Sequence, residues 1–208
     1  MRIMLCGGAG YIGAHTCVEL MGRGHEVVVV DSLVNSSVRA LERIGKITGS
    51  SVAFHQLDVR DKAGMAAIFA EAGFDAVMHF AALKAVGESC ERPLDYFDNN
   101  ISGTISLLKS MQDAGVGRLV FSSSATVYGD PERVPVREDA RLQVTNPYGR
   151  TKLVMEQLIE DLCASDPGFR AANLRYFNPV GAHASGLIGE DPSGTPNNLM
   201  PYICQVAV

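Results

Sequence analysis

A glycine-rich turn directly after the first apolar run constrains the fold of this chain more than any other feature. Residues 3–6 are apolar, Gly7, Gly10 and Gly13 follow at intervals of three, and a helical pattern begins at residue 11. Glycine permits a tight strand-to-helix turn and lets the backbone approach a ligand closely. A strand, such a turn and a helix at the start of a βαβ unit favour a pyrophosphate cradle at the helix N-terminus. For the glycines taken alone, a tight connection without a ligand is the alternative.

Short apolar segments alternate with helical patterns along the rest of the chain. The expected strands are residues 3–6, 26–30, 52–56, 76–80, 119–122 and 171–176, and the expected helices are 11–22, 38–46, 61–72, 93–114 and 147–165. Several strands are apolar on both faces, as in a buried parallel sheet. Asp61 and the pair Asn146-Pro147 are start signals for two of the helices. The alternation predicts an α/β fold of Rossmann type: a doubly wound, mainly parallel sheet with helices on both faces.

Composition and charge restrict the class of protein. The 208 residues are 47% hydrophobic, which fits one substantial globular domain or one domain plus part of another. The net charge of −5 gives no broad attraction to nucleic acid or to an anionic membrane, and no apolar run is long enough to span a bilayer. The N-terminus has no signal-peptide pattern, and the five cysteines are scattered without CxxC pairs. We therefore expect a cytoplasmic protein with reduced, mostly buried cysteines and without a metal site.

The character of the sequence changes after about residue 178. Residues 179–186 and 192–198 are rich in Gly, Pro and Asn and are typical of loops. We expect an NAD-binding Rossmann domain at 1–177 and the beginning of a smaller, incomplete substrate-binding region at 178–208. Residues 203–208 stop within an apolar pattern, which suggests an interruption.

An acidic residue follows the second expected strand at the place where a dinucleotide-binding fold needs one. Asp31 lies 18 residues after Gly13 and can accept hydrogen bonds from the adenosine ribose hydroxyls. Its charge would repel a 2′-phosphate, so NAD is favoured over NADP. A helix N-cap or an ordinary loop acid is the alternative for Asp31. Asp58 and Val59 follow the third strand and could contact the adenine.

Tyr148 and Lys152 are four residues apart on an expected helix, so their side chains project from the same face. An ordinary Tyr titrates near ~10, and bringing its pKa to about 7 takes roughly 4 kcal/mol of extra phenolate stabilisation. A close Lys can supply part of this, and the positive ring of an oxidised nicotinamide can supply more. The pair favours a base that works near neutral pH, although the spacing alone also fits a solvated lysine.

Hydroxyl groups close the fifth strand at Ser122, Ser123 and Ser124. A serine at this strand end can donate to a substrate hydroxyl or relay its proton. For Ser122 and Ser123, a simple loop signature is the alternative. His79 and Phe80 end the fourth strand, where core packing is the alternative to a ligand contact.

Taken together, the glycine-rich turn, Asp31, the serine cluster and the Tyr148/Lys152 pair resemble the extended short-chain dehydrogenase/reductase superfamily over residues 1–208. Within it the chain is most similar to the nucleotide-sugar 4-epimerases, through residues 7–13, 83–89, 122–129, 175–182 and 196–202. The resemblance implies NAD as cofactor and a UDP-hexose as substrate. It implies interconversion of UDP-glucose and UDP-galactose, in galactose metabolism, by transient oxidation at sugar C4. Tyr148 would be the base on the 4′-hydroxyl, Lys152 would lower the pKa of Tyr148 and hold the nicotinamide ribose, and Ser124 would assist proton transfer.

The resemblance also implies two sets of binding residues. The cofactor contacts would be Gly7, Gly10, Tyr11, Ile12, Gly13, Asp31, Ser32, Leu33, Asn35, Ser36, Asp58, Val59, Phe80, Ala81, Lys84, Asn99, Ser122, Tyr148, Lys152, Tyr176 and Phe177. The substrate contacts would be Lys84, Ser124, Tyr148, Asn178, Asn198 and Leu199. Members carry a considerably longer C-terminal half, so we expect this chain to bind NAD but to be poorly active. Members commonly dimerise through helices matching 93–114 and 147–165, whose apolar faces could equally be intramolecular core.

Two other functions are compatible with part of these features. A sugar-nucleotide 4,6-dehydratase shares the fold, NAD and the Tyr/Lys pair, but it places Asp-Glu just after the strand-end hydroxyl, where this chain has Ala125-Thr126. A non-catalytic NAD-binding module would need the glycine-rich turn without the catalytic tyrosine. The presence of Ser124, Tyr148 and Lys152 together argues against such a module, but for a poorly active chain it stays open.

Overall fold

A computed structural model of the chain describes residues 1–71, 73–192, 196 and 198–207. It contains one six-stranded sheet in which every neighbouring pair is parallel. The strands are β1 Arg2–Cys6, β2 Glu26–Asp31, β3 Ala53–Gln56, β4 Ala76–His79, β5 Arg118–Ser124 and β6 Arg170–Tyr176. Their order across the sheet is β3-β2-β1-β4-β5-β6. This is the doubly wound Rossmann order, so the predicted fold class is confirmed.

Helices connect the strands. They are α1 Tyr11–Gly22, α2 Val38–Thr48, α3 Lys62–Glu71, α4 Val86–Glu91, α5 Pro93–Tyr96, α6 Gly103–Asp113, α7 Pro147–Ser165 and α8 Leu199–Val206. A π-helical turn, Phe97–Ser102, joins α5 to α6, and a 3₁₀ turn, Ala125–Tyr128, follows β5. Both predicted caps are confirmed: Asn146 Oδ1 accepts from Gly149 N at 2.8 Å, and Asp61 Oδ1 accepts from Gly64 N at 3.0 Å.

Side chains of successive strand residues pack into two separate cores, one on each face of the sheet. Cys6 and Val30 belong to one core, together with residues of α3, α6 and α7 such as Met65, Leu107 and Met155. Leu5 and Val29 belong to the other, together with residues of α1 and α2 such as Cys17 and Ile44. This alternation follows from the two-residue period of a strand, and it confirms that helices cover both faces.

The helix expected over 93–114 is confirmed as an unbroken run of helical residues over 93–113, and its middle part, Phe97–Ser102, is π-helical, which was not predicted. Proline fixes its own φ and fits only the first turn of a helix, so α5 begins at Pro93, directly after Arg92 with φ −129° and ψ 56°. The π-helical turn then adds a wider turn before α6. Its Asn100 is 1% exposed and points inward. The intramolecular core takes the apolar faces of α6 and α7, through Leu107, Met111, Met155 and Ile159.

Other local expectations need correction or lie outside the described residues. The helices α4 and α8 were not predicted, and α8 begins directly after the second expected loop segment, 192–198. Residue 72 of the third expected helix, and residues 193–195 and 197 of the second expected loop segment, lie outside the described residues.

The expectation of mostly buried cysteines is wrong, because two of the five are buried and Cys163 is half-buried. Cys6 and Cys17 are buried in the two cores, whereas Cys90 on α4 and Cys204 on α8 are exposed. Among the described helices, none combines the length and apolarity that a membrane crossing requires.

Candidate active site

The carboxyl ends of β1 and β4 lie where the strand order reverses, which is the ligand-binding position of an open α/β sheet. The backbone N–H groups of Phe80 and Ala81 both donate to the Cys6 carbonyl, at 2.8 and 3.0 Å. A Cβ added to Gly7 would lie 2.6 Å from Ala81 N. The glycine at position 7 therefore allows the two strand ends to approach closely.

The glycine-rich turn has the geometry of a phosphate cradle. Gly7 has φ +80°, a left-handed conformation that favours glycine. A Cβ at Gly13 would lie 2.7 Å from Gly8 Cα and would also collide with the Gly7 carbonyl. Helix α1 starts directly afterwards at Tyr11, so the first-turn N–H groups of Tyr11, Ile12 and Gly13 face the turn. A bound anion would meet donors there and no side chain at positions 7, 10 or 13, so the turn fits the pyrophosphate of a dinucleotide.

Asp31 ends β2, is 7% exposed, and organises the loop that follows it. Its Oδ2 accepts from Ala9 N of the glycine-rich turn at 3.0 Å, and its Oδ1 accepts from Leu33 N at 2.9 Å and from Ser36 Oγ at 2.8 Å. The N-cap alternative for Asp31 is wrong, because Ser37 caps α2 by accepting from Arg39 N. Ser32 and Asn35 lie in the same loop. The carboxylate is thus placed beside the cradle, where ribose hydroxyls could donate to it.

The loop after β3 holds a cluster of charges that the sequence pattern did not reveal. Arg60 donates to Asp58 from its backbone N–H and its guanidinium, at 2.7 to 3.2 Å, and also contacts Asp98 at 2.6 Å. Hydrogen bonding from Arg60 lowers the pKa of Asp58, against the opposing effect of burial. The side chain of Val59 is in the core, so any adenine contact from this residue comes from its backbone.

Tyr148, Lys152 and Ser124 meet where α7 crosses the end of β5. Lys152 Nζ lies 5.8 Å from the Tyr148 ring centroid and donates to the Ser122 carbonyl at 2.7 Å. Ser124 Oγ accepts from Thr126 N and Thr126 Oγ1, at 3.2 and 2.9 Å. Tyr176 is the register partner of Ser124 in the neighbouring strand. The three predicted catalytic residues therefore share one site, and all are at most 8% exposed.

The surroundings of Tyr148 in the described residues favour its neutral form, so the expected lowering of its pKa by Lys152 together with an oxidised nicotinamide stays a prediction. Burial raises the pKa of Tyr148 above its ordinary value, and the neighbouring Ser124 hydroxyl opposes that rise. Burial also lowers the pKa of Lys152 to about 7, which the charge of Glu156 opposes. Desolvation thus outweighs the effect of the Ser124 hydroxyl, and a further positive charge is needed to bring the pKa of Tyr148 toward 7.

Hydrogen bonds from neighbouring elements hold the start of α7, and most of these residues were missed from the sequence. Ser89 Oγ on α4 accepts from Tyr148 N at 3.2 Å. Asn100 Nδ2 donates to Thr151 Oγ1 at 3.0 Å and to the Leu83 carbonyl at 3.1 Å, so it ties the loop after β4 to α7. The predicted Asn99 donates to Asn100 Oδ1 at 3.0 Å. No short-range pattern marks Asn100, because its inward direction depends on the π-helical turn.

His79 is part of the core beneath the catalytic pair. It is 1% exposed, and its Nε2 lies 3.0 Å from Thr104 Oγ1. Burial, followed by the charge of Lys152, lowers the pKa of His79 to about 3. The ring is therefore neutral at physiological pH, and the packed-core interpretation of His79 is confirmed.

The segment after β6 folds back toward the glycine-rich turn. Tyr11 OH donates to the Gly181 carbonyl at 2.7 Å, and Ile188 is buried against the core of α1 and β1. Glu190, which the sequence did not single out, accepts from Asn198 Nδ2 at 2.6 Å and lies 3.6 Å from Lys84 Nζ. It brings together two of the predicted substrate contacts.

The remaining predicted contacts lie on exposed backbone. Asn178 is exposed just beyond β6, Phe177 is 64% exposed, and Leu199 is 72% exposed. Phe177 and Asn178 follow directly after Tyr176, the register partner of Ser124, and among the described residues no hydrogen bond joins either of them to Tyr148, Lys152 or Ser124.

Comparison with known proteins agrees with this geometry. A family model described as the NAD dependent epimerase/dehydratase family matches residues 3–207. UDP-glucose 4-epimerase of Dictyostelium discoideum is 56% identical over 207 residues, covering 100% of this chain and 60% of that protein.

Two solved structures superpose closely on the chain. UDP-glucose-4-epimerase from Stenotrophomonas maltophila, with bound NAD and formylated UDP-arabinopyranose, is 62% identical with a TM-score of 0.97. UDP-glucose 4-epimerase from Bifidobacterium longum, in complex with NAD⁺ and UDP, is 50% identical with a TM-score of 0.97. Each match covers 100% of this chain and 62% of the other. The chain spans 60% to 61% of the length of the curated relatives it matches first.

Proposed function

We propose, because this chain belongs to the NAD dependent epimerase/dehydratase family, that the protein interconverts UDP-glucose and UDP-galactose by transient oxidation at sugar C4. The observation that carries the proposal is the convergence of Tyr148, Lys152 and Ser124 at the end of β5, on the same sheet edge as the glycine cradle. The names of the relatives support the choice of substrate, since both the curated relative and the solved structures are UDP-glucose 4-epimerases.

The proposed cofactor is NAD, which when bound supplies the hydride acceptor and donor for sugar C4 and, in its oxidised form, a positive charge beside Tyr148. The turn at Gly7, Gly10 and Gly13 would hold the pyrophosphate, and Asp31 would accept from the adenosine ribose. Lys152 would donate to the nicotinamide ribose from the position where it now donates to the Ser122 carbonyl.

The chain's own residues would move the proton. Tyr148 would take the proton of the sugar 4′-hydroxyl as the C4–H bond of the sugar breaks. It would return the proton after the 4-keto sugar has turned over in the site. Ser124 would donate to the same oxygen, since its hydroxyl is close enough to influence the pKa of Tyr148. Lys84, Asn178, Asn198 and Leu199 are proposed to contact the sugar nucleotide.

A dehydratase is less well supported. Elimination of water from C5 and C6 needs an acid and a base beside the strand-end hydroxyl. The 3₁₀ turn after Ser124 has Ala125 and Thr126 there, and Thr126 is hydrogen-bonded to Ser124. Neither residue can serve as a general acid of carboxyl type.

The 208 residues by themselves are proposed to bind NAD and to turn over UDP-hexose slowly. Asp31 is buried and hydrogen-bonded to the glycine-rich turn, whose Gly7 and Gly10 are half-buried, whereas Asn178 and Leu199 are exposed. A cytoplasmic location and a homodimer are also part of the proposal.

The test is the redox half-reaction. The purified protein is analysed for bound NAD, UDP-galactose is added, and the absorbance of reduced nicotinamide is followed. Bound NAD that becomes reduced supports the proposal, and Tyr148→Phe is the matched control that should bind NAD without reducing it. Absence of NAD binding, or of reduction in a version extended at its C-terminus, would contradict it. Equal turnover by the 208 residues and the extended version would refute slow turnover of the shorter chain.

A further inference from the structure

An ion pair with a buried carboxylate lies one helical turn beyond Tyr148 and Lys152. Glu156 follows Lys152 by four residues on α7, and its side chain is 1% exposed. Arg175 of β6 donates to both of its carboxylate oxygens, at 2.7 Å from Nη2 and 3.0 Å from Nε. Ser123 Oγ donates to the same carboxylate. The carboxylate is thus held by β5 and β6 at once, in a network that the proposed chemistry does not use.

This network grips the strand end that carries Ser124. Lys152 donates to the carbonyl of Ser122, and Glu156 accepts from the side chain of the next residue, Ser123. Two side chains one turn apart on α7 therefore hold two adjacent residues of β5. Arg175 also donates to Tyr128 OH at 2.9 Å, which ties down the far end of the 3₁₀ turn that begins after Ser124.

Glu156 is also the acidic group that acts on Lys152. Burying an isolated charge costs several kcal/mol, so a buried ammonium needs a compensating charge. The groups that face Lys152 are the Phe121 ring and Ser122 carbonyl of β5, His79 of β4, and Tyr148 and Glu156 of α7. Arg175 of β6 stands behind Glu156.

The balance of these groups favours Glu156 as the counter-charge. The charge of Glu156 raises the pKa of Lys152, against the larger lowering by burial. His79 contributes no charge at neutral pH because its pKa is lowered to about 3. Tyr148 also contributes no charge at neutral pH, because burial raises its pKa above the ordinary value.

We propose that Glu156, held by Arg175 and Ser123, is a positioning residue that supplies a buried counter-charge one helical turn from Lys152 and fixes the end of β5 against Tyr148. Its consequence for turnover rests on the proposed function; its effect on Lys152 does not. A purely structural ion pair, which joins α7 to β6 without acting on Lys152, is the competing explanation.

The test measures the protonation of Lys152 directly. The chain has five lysines, so a protein labelled with ¹³C at lysine Cε gives a spectrum simple enough to titrate by NMR, and Lys152→Arg identifies the signal of interest. In Glu156→Gln, which keeps the size of the side chain and a hydrogen-bond acceptor, the pKa of Lys152 should fall by about one unit, a tenfold change in its ionisation constant.

Two control variants separate charge from structure. Ser123→Ala removes one hydrogen bond to Glu156 but keeps the charge, so it should leave the Lys152 titration in place while lowering stability. Glu160→Gln removes a charge from an exposed position one turn further along α7 and should also leave it in place. If Glu156→Gln does not fold, the double variant Glu156→Gln/Arg175→Met removes the pair together and should lower the pKa of Lys152 in the same direction.

The outcomes are distinct. An unchanged Lys152 titration in folded Glu156→Gln would overturn the proposal and leave a structural ion pair. A shift as large in Ser123→Ala would overturn it as well, because the charge would then not be the cause. In an active version extended at its C-terminus, Glu156→Gln should move the alkaline limb of the kcat–pH profile to lower pH, because Lys152 would lose its proton at a lower pH. Absence of epimerase activity in the extended version without substitutions would contradict the proposed function and leave the NMR result valid.

Discussion

Two regions along the strand order of the sheet, the β1–β2 side and the side beyond β6, differ in how completely they are enclosed. At the β1–β2 side, Leu5, Val29 and Val30 have no exposed surface, and Asp31 accepts three hydrogen bonds. Beyond β6, Phe177 and Leu199 are 64% and 72% exposed. The cofactor side is built from backbone geometry and buried contacts within the described residues. The proposed substrate side has exposed side chains, on a segment that Gly181, Ile188 and Glu190 connect to the rest of the fold.

The difference indicates that cofactor binding and substrate binding can be perturbed separately. Tyr148 and Lys152 lie between the two sides, on a helix packed into the core. Substitutions on one side should therefore change one measured quantity and leave the other near its original value.

The largest effect is expected at the base. Tyr148→Phe removes the hydroxyl but keeps the ring, so NAD should stay bound while kcat falls by about 10²- to 10⁴-fold, the usual contribution of a positioned acid or base. Turnover of UDP-galactose and bound NAD are measured on the same preparation of an extended version. Near-normal turnover would remove Tyr148 from its proposed role.

Adding a side chain to the glycine-rich turn should weaken NAD binding without changing substrate binding. In Gly13→Ala the new Cβ meets Gly8 Cα and the Gly7 carbonyl. We expect NAD affinity to fall by roughly 10- to 100-fold, in line with an overpacking cost of about 1–3 kcal/mol. Gly22→Ala, at the end of α1 with open space around the added Cβ, is the control and should bind NAD normally. Equal affinity in both variants would contradict the cradle.

The buried His79 between the two sides should make the free energy of unfolding fall as the pH is lowered. The pKa of His79 is lowered to about 3 from an ordinary 6.5, so on acidification the unfolded chain binds a proton before the folded one. The stabilisation is present above about pH 6.5 and is lost as the pH falls toward 3. Between pH 7 and pH 5, His79→Gln should reduce the loss of unfolding free energy by about 2 kcal/mol.

Urea denaturation at the two pH values measures this difference. His25→Gln, in the turn between α1 and β2, is the matched control. A His79→Gln protein with the same acid sensitivity as the original would show that another group is responsible.

The smallest effect is expected on the substrate side. Glu190→Ala removes the carboxylate that contacts both Lys84 and Asn198. Because partly exposed ion pairs contribute about 0–1 kcal/mol, we expect KM for UDP-galactose to rise only a few-fold, with kcat and NAD affinity unchanged. An equal loss of NAD affinity would show that the two sides are not separable. Glu132→Ala, on the exposed loop after the 3₁₀ turn, is the control.

Much of the site could be predicted from residues close together in sequence. Gly7, Gly10 and Gly13 act through backbone geometry, Asn146 and Asp61 cap helices locally, and Tyr148 and Lys152 share a face because a helix repeats every 3.6 residues. The residues missed act across long separations. Arg175 contacts Glu156, Asn100 contacts Thr151, and Glu190 contacts Lys84. Each contact depends on how separate elements pack together, which no local sequence pattern predicts.

The sequence by itself determined the alternation of strands and helices, the glycine-rich turn and the placement of Tyr148 and Lys152 on one helix face, because each depends on the intrinsic geometry of short segments. Only the tertiary structure decided which of three consecutive serines does what. Ser122 offers its carbonyl to Lys152, Ser123 donates to Glu156, and Ser124 lies beside Tyr148. A strand turns successive side chains to opposite faces, and what each one meets depends on the elements packed there. The same is true of the pKa values, because burial is a property of the assembled core.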